Sequence, residues 1–221
     1  MPAEPILSHL ATEITDEWPL TRTTSLSIVR SIRNTESFFT RLVFAVHDCG
    51  YVAGCALEVD DSGQVRIQKI EQIIADCRFG IHDISRVEAD PQTQLPRFNM
   101  PLELGLFLGA KRYGKRRQKT KSCKILDTDR YRFQKFCSDL AGQDISAHHS
   151  DPEEAIKTVR NWFGKSRRNV LIPSGSKLAE RYRKFQDNLP IVCQSLKLTV
   201  AELTFLDLQN ILVEWLRENP W

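Results

Sequence analysis

Glu103 stands in the stretch Arg97-Phe-Asn-Met-Pro-Leu-Glu-Leu-Gly-Leu-Phe-Leu-Gly-Ala110, among Leu102, Leu104, Leu106, Phe107 and Leu108. A carboxylate in the first turn of a helix is favoured by the helix dipole, but a Glu serving only that purpose faces water. These neighbours set Glu103 against a cavity or a buried surface instead. There a carboxylate without a partner costs several kcal/mol, and a group kept at that cost points to function. Three more polar sets adjoin short apolar runs: His47-Asp48, then His82-Asp83-Ile-Ser85-Arg86, then Asp127-Thr128-Asp129. The second set is denser than a turn requires, whereas Asp127 and Asp129 read as turn residues that cap the next helix.

The secondary structure around these groups can be read from pattern. Residues 41–46, 79–84 and 122–126 are short runs rich in β-branched or aromatic residues and read as strands; a fourth short strand is expected at 144–147. Helical spacing covers 65–77 and 131–140, and residues 100–113 are apolar nearly all round, as in a helix packed deep against a sheet. Asn99 is suited to cap that helix and Pro101 to its first turn. Gly105 and Gly109 read as places where the helix approaches a neighbour. A further helix opens at Ser150 or Asp151, with Pro152, Glu153 and Glu154 in its first turn. Strands alternating with helices predict an α/β fold, a Rossmann-like three-layer α/β/α unit around a parallel sheet. Such sheets bind ligands beyond the carboxyl ends of their strands, where all three polar sets fall. No GxGxxG and no GxxxxGK[ST] occurs, so neither a dehydrogenase fingerprint nor a P-loop is present.

The 221 residues divide into an N-terminal segment (1–36, partly helical around Leu26, Ile28, Val29 and Ile32), the α/β domain (37–165) and a helical C-terminal extension (166–221). In the extension, Leu178, Tyr182 and Phe185 mark one helix, and the capping box Thr199-Val-Ala-Glu202 opens another. That helix either folds back on the α/β domain or offers a face to a second copy or a partner protein. Apolar and charged shares of 41% and 27% exclude a disordered chain. No apolar stretch approaches the roughly 20 residues of a membrane span, and the acidic N-terminus is unlike a secretory signal, so the cytosol is the expected compartment. Six scattered cysteines without a CxxC pair fit neither a disulfide framework nor a metal site. Residues 111–124 hold eight basic residues and no acid. In βαβ topology this stretch falls on the edge opposite the pocket. It reads as a solvated loop, and nucleic acid is the sharper but less favoured alternative.

The segment Ile70-Glu-Gln-Ile-Ile-Ala-Asp76, a strand, then Asn99-Met-Pro-Leu-Glu-Leu-Gly105 and Gly109-Ala-Lys111 resembles the nucleoside 2-deoxyribosyltransferase-like group. It also looks like the related TIR-like nucleotide-binding proteins of bacterial defence systems. The resemblance covers about residues 40–147. It implies cleavage or base exchange at an N-glycosidic bond, with NAD, another nucleotide or a deoxynucleoside as substrate and no required cofactor or metal. Glu103 matches the group's helix glutamate, which acts at the anomeric carbon as nucleophile or as stabiliser of the oxocarbenium ion. A fixed carboxylate below a developing positive charge lowers that barrier. The resemblance further implies that Asp83 contacts sugar hydroxyls or the base, that Asn99 bonds the ribose, and that Arg86 or Arg97 holds a phosphate. His47, Asp48, His82 and Ser85 complete the expected substrate contacts, His47 also as a general acid. The C-terminal extension and the ending Val46-His-Asp-Cys-Gly50 depart from the group. The alternative is a nucleotide-sensing module that recruits a partner, in a setting such as anti-phage defence.

Overall fold

The computed structural model describes residues 24–27, 36–55, 63–166 and 171–221, with backbone alone at 24–27 and 36–37. Residues 1–23, and with them the acidic N-terminus, lie outside the described residues, as do Ile28, Val29 and Ile32. The chain is α/β. Five parallel strands, β1 (Thr24–Ser27), β2 (Ala53–Gly54), β3 (Phe79–Asp83), β4 (Ser122–Asp127) and β5 (Ile145–Ala147), lie in the order β2-β1-β3-β4-β5. The register pairs Thr24 with Phe79, Ser27 with His82, Asp83 with Leu126 and Asp127 with Ala147. The helices are α1 (Glu36–Asp48), α2 (Arg66–Asp76), α3 (Asn99–Tyr113), α4 (Arg116–Lys119), α5 (Pro152–Ser166), α6 (Gly175–Ser195) and α7 (Phe205–Glu218).

The largest departure from expectation is at residues 41–46, which are helix and not strand. Leu42, Val43, Phe44, Ala45 and Val46 are all fully buried within α1, enclosed by α5, α6, α7 and the sheet. The five residues 42–46 are buried all round, so that run holds no polar residue to mark a helical period and reads like a buried strand. The first strand is instead Thr24–Ser27, in the segment expected to precede the α/β unit, and it sits between β2 and β3.

Alternation along β3 sorts the packing. Phe79 and Ile81 join the core formed with α1, α5, α6 and α7, while His82 turns the other way onto Phe107 of α3, 5.0 Å between ring centres. The C-terminal helices therefore fold back: Tyr182, Phe185 and Trp215 surround Phe44 at 5.3, 5.6 and 6.0 Å. The capping box at Thr199 is present but closes only the 3-10 turn Val200–Glu202. A second box, Thr204 with Asp207, opens α7. Residues 131–140 form two 3-10 turns, Arg132–Lys135 and Ser138–Leu140, in place of one helix. At α5 the expected cap holds, since Asp151 Oδ1 accepts the Glu153 N–H at 2.8 Å.

The six cysteines are free thiols, and no cluster of metal-binding side chains occurs among the described residues. No described helix is long and apolar enough to cross a membrane.

Candidate functional site

Strand order reverses between β1 and β3, and parallel sheets open a crevice beyond the carboxyl ends at such a reversal. β3 delivers Asp83 to that edge. Its Oδ1 accepts the Ser85 N–H at 3.0 Å and lies 3.4 Å from His148 Nε2. His148 follows β5, is buried, and lies tilted against Phe38 of α1, 4.9 Å between ring centres. Its Nδ1 accepts the Ser150 N–H at 3.1 Å, which leaves the proton of a neutral ring on Nε2, directed at Asp83.

β4 delivers Asp127 beside it. Oδ1 accepts from the Thr128 N–H at 2.7 Å and from Arg132 Nε at 2.9 Å, and Oδ2 is buried without a hydrogen-bond partner among the described residues. Burial pushes this carboxyl above the usual range, opposed by the Arg132 and Thr128 hydrogen bonds and reinforced by the charge of Asp83. Arg132 also donates to the Ser85 and Ile84 carbonyls, so one guanidinium ties the segment after β3 to the end of β4. His148 and Arg132 are not legible as site residues from their local sequence. Extending the carboxyl-end rule to the short strand at 145–147 would reach His148.

Glu103 approaches from α3. Met100, Glu103, Leu104 and Phe107 form the buried stripe of that helix, and Glu103 is only 4% exposed. Phe107 fixes the height, since it lies over His82. Glu103 is four residues earlier, about 6 Å nearer the carboxyl edge. Ile84 packs with Met100 and Leu104 at that level. Glu103 and Asp83 therefore reach the same edge from opposite faces of the sheet.

The other expected contacts separate. Ser85 is half-buried next to Asp83, whereas Arg86, Arg97 and Asn99 are exposed on or just after the 84–98 loop. Asn99 does not cap α3: it is the first helical residue, and the cap position is Phe98, with no side-chain cap bond. Gly105 and Gly109 have open space over them among the described residues, so no described neighbour makes the close approach expected there.

His47 and Asp48 are not at a strand end, because the run before them is α1. His47 Nε2 accepts the Ala53 N–H at 3.3 Å, and Asp48 is a buried partner of Arg181 at 3.0 Å. His82 is enclosed beneath Phe107 with neither ring nitrogen hydrogen-bonded among the described residues. Each of the three is committed to the interior.

Two of them make acid sensitivity measurable. Burial lowers His47 from 6.5 to about 4, and burial with the Lys121 charge lowers His82 from 6.5 to about 3. Both rings are neutral in the fold, so their contribution is complete above pH 6.5, where unfolded histidines are neutral as well. It is lost as pH falls towards 4 and then 3. Each ring adds up to about 1.4 kcal/mol per pH unit to the slope inside its window. His82→Leu also removes two unsatisfied nitrogens, so urea titrations should show equal or greater stability at pH 7.5 and a shallower decline between pH 6 and 4. A steeper decline would mean that His82 is held charged.

A cleft of about 530 Å³ runs beside β5, lined by Tyr131, Phe133, Ser146, His149, Glu154 and Thr158 among others, and includes neither Glu103 nor Asp83. Tyr131, His149 and the adjacent Ser150 all have left-handed backbone, with φ of 62, 52 and 57°. Comparison of the chain with protein-family models, with curated proteins and with solved structures finds no match in any of the three.

Proposed function

We propose that this chain cleaves or exchanges an N-glycosidic bond in a nucleotide or nucleoside, of NAD or deoxynucleoside type, on a Rossmann-like three-layer α/β/α scaffold. The observation that carries the reading is Glu103, a carboxyl buried on the sheet-facing stripe of α3 at the carboxyl edge of a parallel sheet. In the reaction the bond from the anomeric carbon to the base nitrogen breaks. The base leaves with the electron pair, and water or a second base forms the new bond to that carbon. Glu103 supplies the negative charge opposite the developing oxocarbenium ion. Asp83, oriented by His148 and the Ser85 amide, is the group placed to hold sugar hydroxyls, and Arg86 and Arg97 are exposed on the adjoining loop to meet a phosphate.

The test is incubation of the purified chain with NAD and a panel of ribo- and deoxynucleosides, following free base by chromatography. Base release from at least one substrate, rising in proportion to protein, is expected. No release from any substrate at high protein concentration sinks the proposal. The cleft beside β5 favours a second reading, a nucleotide-binding module without turnover. It lies in the size range of small-molecule sites and is bounded by strained backbone, which tends to mark functional segments. Calorimetry that detects nucleotide binding, with no base released in the same samples, supports that reading over the first.

A further inference from the structure

The basic stretch at 111–124 is not a loop. It comprises the last turn of α3, the short helix α4 and the start of β4, all at the amino edge of the sheet, away from Glu103 and Asp83. Three of its side chains have internal work. Lys121 is buried and donates to the Ile74 and Cys77 carbonyls. Gln118 Nε2 donates to the Ala75 carbonyl at 3.0 Å, and Arg117 reaches the Ala75 and Asp76 carbonyls and the Asp76 carboxylate at 3.5 Å. These groups satisfy the last carbonyls of α2 and complement the negative end of its dipole.

Of the six other cations of the stretch, Lys124 is half-buried on β4 and the remaining five have no such task. Lys111, Arg112, Lys115, Arg116 and Lys119 are exposed and make no ion pair among the described residues. Between them Tyr113 is 87% exposed. Two consecutive short segments thus present five unneutralised cations around one free aromatic ring, with Gly114 at their junction. A methyl group on Gly114 would meet the Ala110 carbonyl at 2.4 Å and Gln118 at 2.5 Å, so the turn that brings the two segments together admits no side chain there. Clustered cations draw in a phosphate backbone by releasing its counterions, and an exposed aromatic ring offers a face for an unstacked base. We propose that this face binds single-stranded nucleic acid. A single exposed ring is too little apolar surface to bury in an anionic membrane, and an acidic peptide has no unstacked base to place on it. Its exposure favours a single strand over a duplex, whose bases are already stacked.

The experiment is fluorescence anisotropy of a labelled mixed-sequence 20-nucleotide single strand titrated with the full chain from 50 to 300 mM salt. Parallel titrations use the matching duplex, polyglutamate and vesicles of anionic lipid. Contacts with three to five phosphates give a log–log salt slope between about −2 and −3.5. Substituting the five cations with Gln, while keeping Arg117 and Lys121, should weaken binding at least 100-fold with the melting temperature unchanged. Tyr113→Ala should weaken it at least about fivefold without altering the salt slope. Should the fivefold-substituted chain fail to fold, Arg116→Glu and Lys119→Glu singly should each weaken binding. The proposal is overturned by no binding at 50 mM salt, by binding that survives these substitutions, or by equal or tighter binding of the duplex, polyglutamate or vesicles. None of these outcomes depends on turnover at Glu103.

Discussion

Arg181→Met is expected to lower the unfolding free energy by about 3–5 kcal/mol. Arg181 and Asp48 are both buried, 6% and 3% exposed, and joined by paired hydrogen bonds from Nε and an amino group at 3.0 Å. Arg181 also donates to the Asn219 carbonyl at 2.8 Å and lies 5.6 Å over the Trp215 ring. Trp221 donates to Asp48 at 2.9 Å. Methionine fills a similar volume but leaves Asp48 with the indole N–H of Trp221 as its remaining side-chain donor among these contacts. The penalty is that of an uncompensated buried charge, not the net worth of the pair. Asp48→Leu combined with Arg181→Met should therefore recover most of the loss, because two apolar side chains can occupy the same space without a stranded charge. Urea unfolding of the two single variants and the double variant measures this. Single variants within 0.5 kcal/mol of the parent, or a double variant as unstable as the singles combined, would contradict a stranded charge as the cause.

The same pair shows where sequence reading stops. Asp48 reads as a strand-end acid because the five residues before the His-Asp pair are apolar, and a fully enclosed helix and a buried strand share that pattern. Only the partner 133 positions away distinguishes them, and no local spacing reveals it. The apolar band of α7 is legible from Leu208, Ile211, Leu212 and Trp215, but its destination against Phe44 is not. Where an element keeps a polar face, as α2 does, or a marked boundary, as Pro101 gives α3 and the flanking polar residues give β3 and β4, the sequence is direct: these elements and the Asp151 cap all fall within a residue or two of expectation. At the candidate site Glu103 and Asp83 are legible because each is a charge set in apolar sequence. Arg132 is not, since it lies in a polar turn where an arginine is ordinary until Asp127 and the Ser85 carbonyl meet it.

Glu103→Gln separates chemistry from packing most sharply. The amide has nearly the shape of the carboxylate and keeps one acceptor oxygen, so the stripe of Met100, Leu104 and Phe107 should pack unchanged and the chain should stay folded. The negative charge opposite the anomeric carbon is lost entirely. If Glu103 stabilises an oxocarbenium ion or attacks the anomeric carbon, base release should fall at least 1000-fold, equivalent to about 4 kcal/mol of barrier. Glu103→Asp keeps the charge but withdraws it by one methylene, so partial activity is expected, above Gln and below the parent. Asp83→Asn, which retains a hydrogen-bond acceptor for the Ser85 N–H, should raise KM more than it lowers kcat if Asp83 only holds sugar hydroxyls. Unchanged turnover in Glu103→Gln would remove Glu103 from the reaction. Loss of turnover together with loss of stability would instead place it among the groups that hold α3 to the sheet.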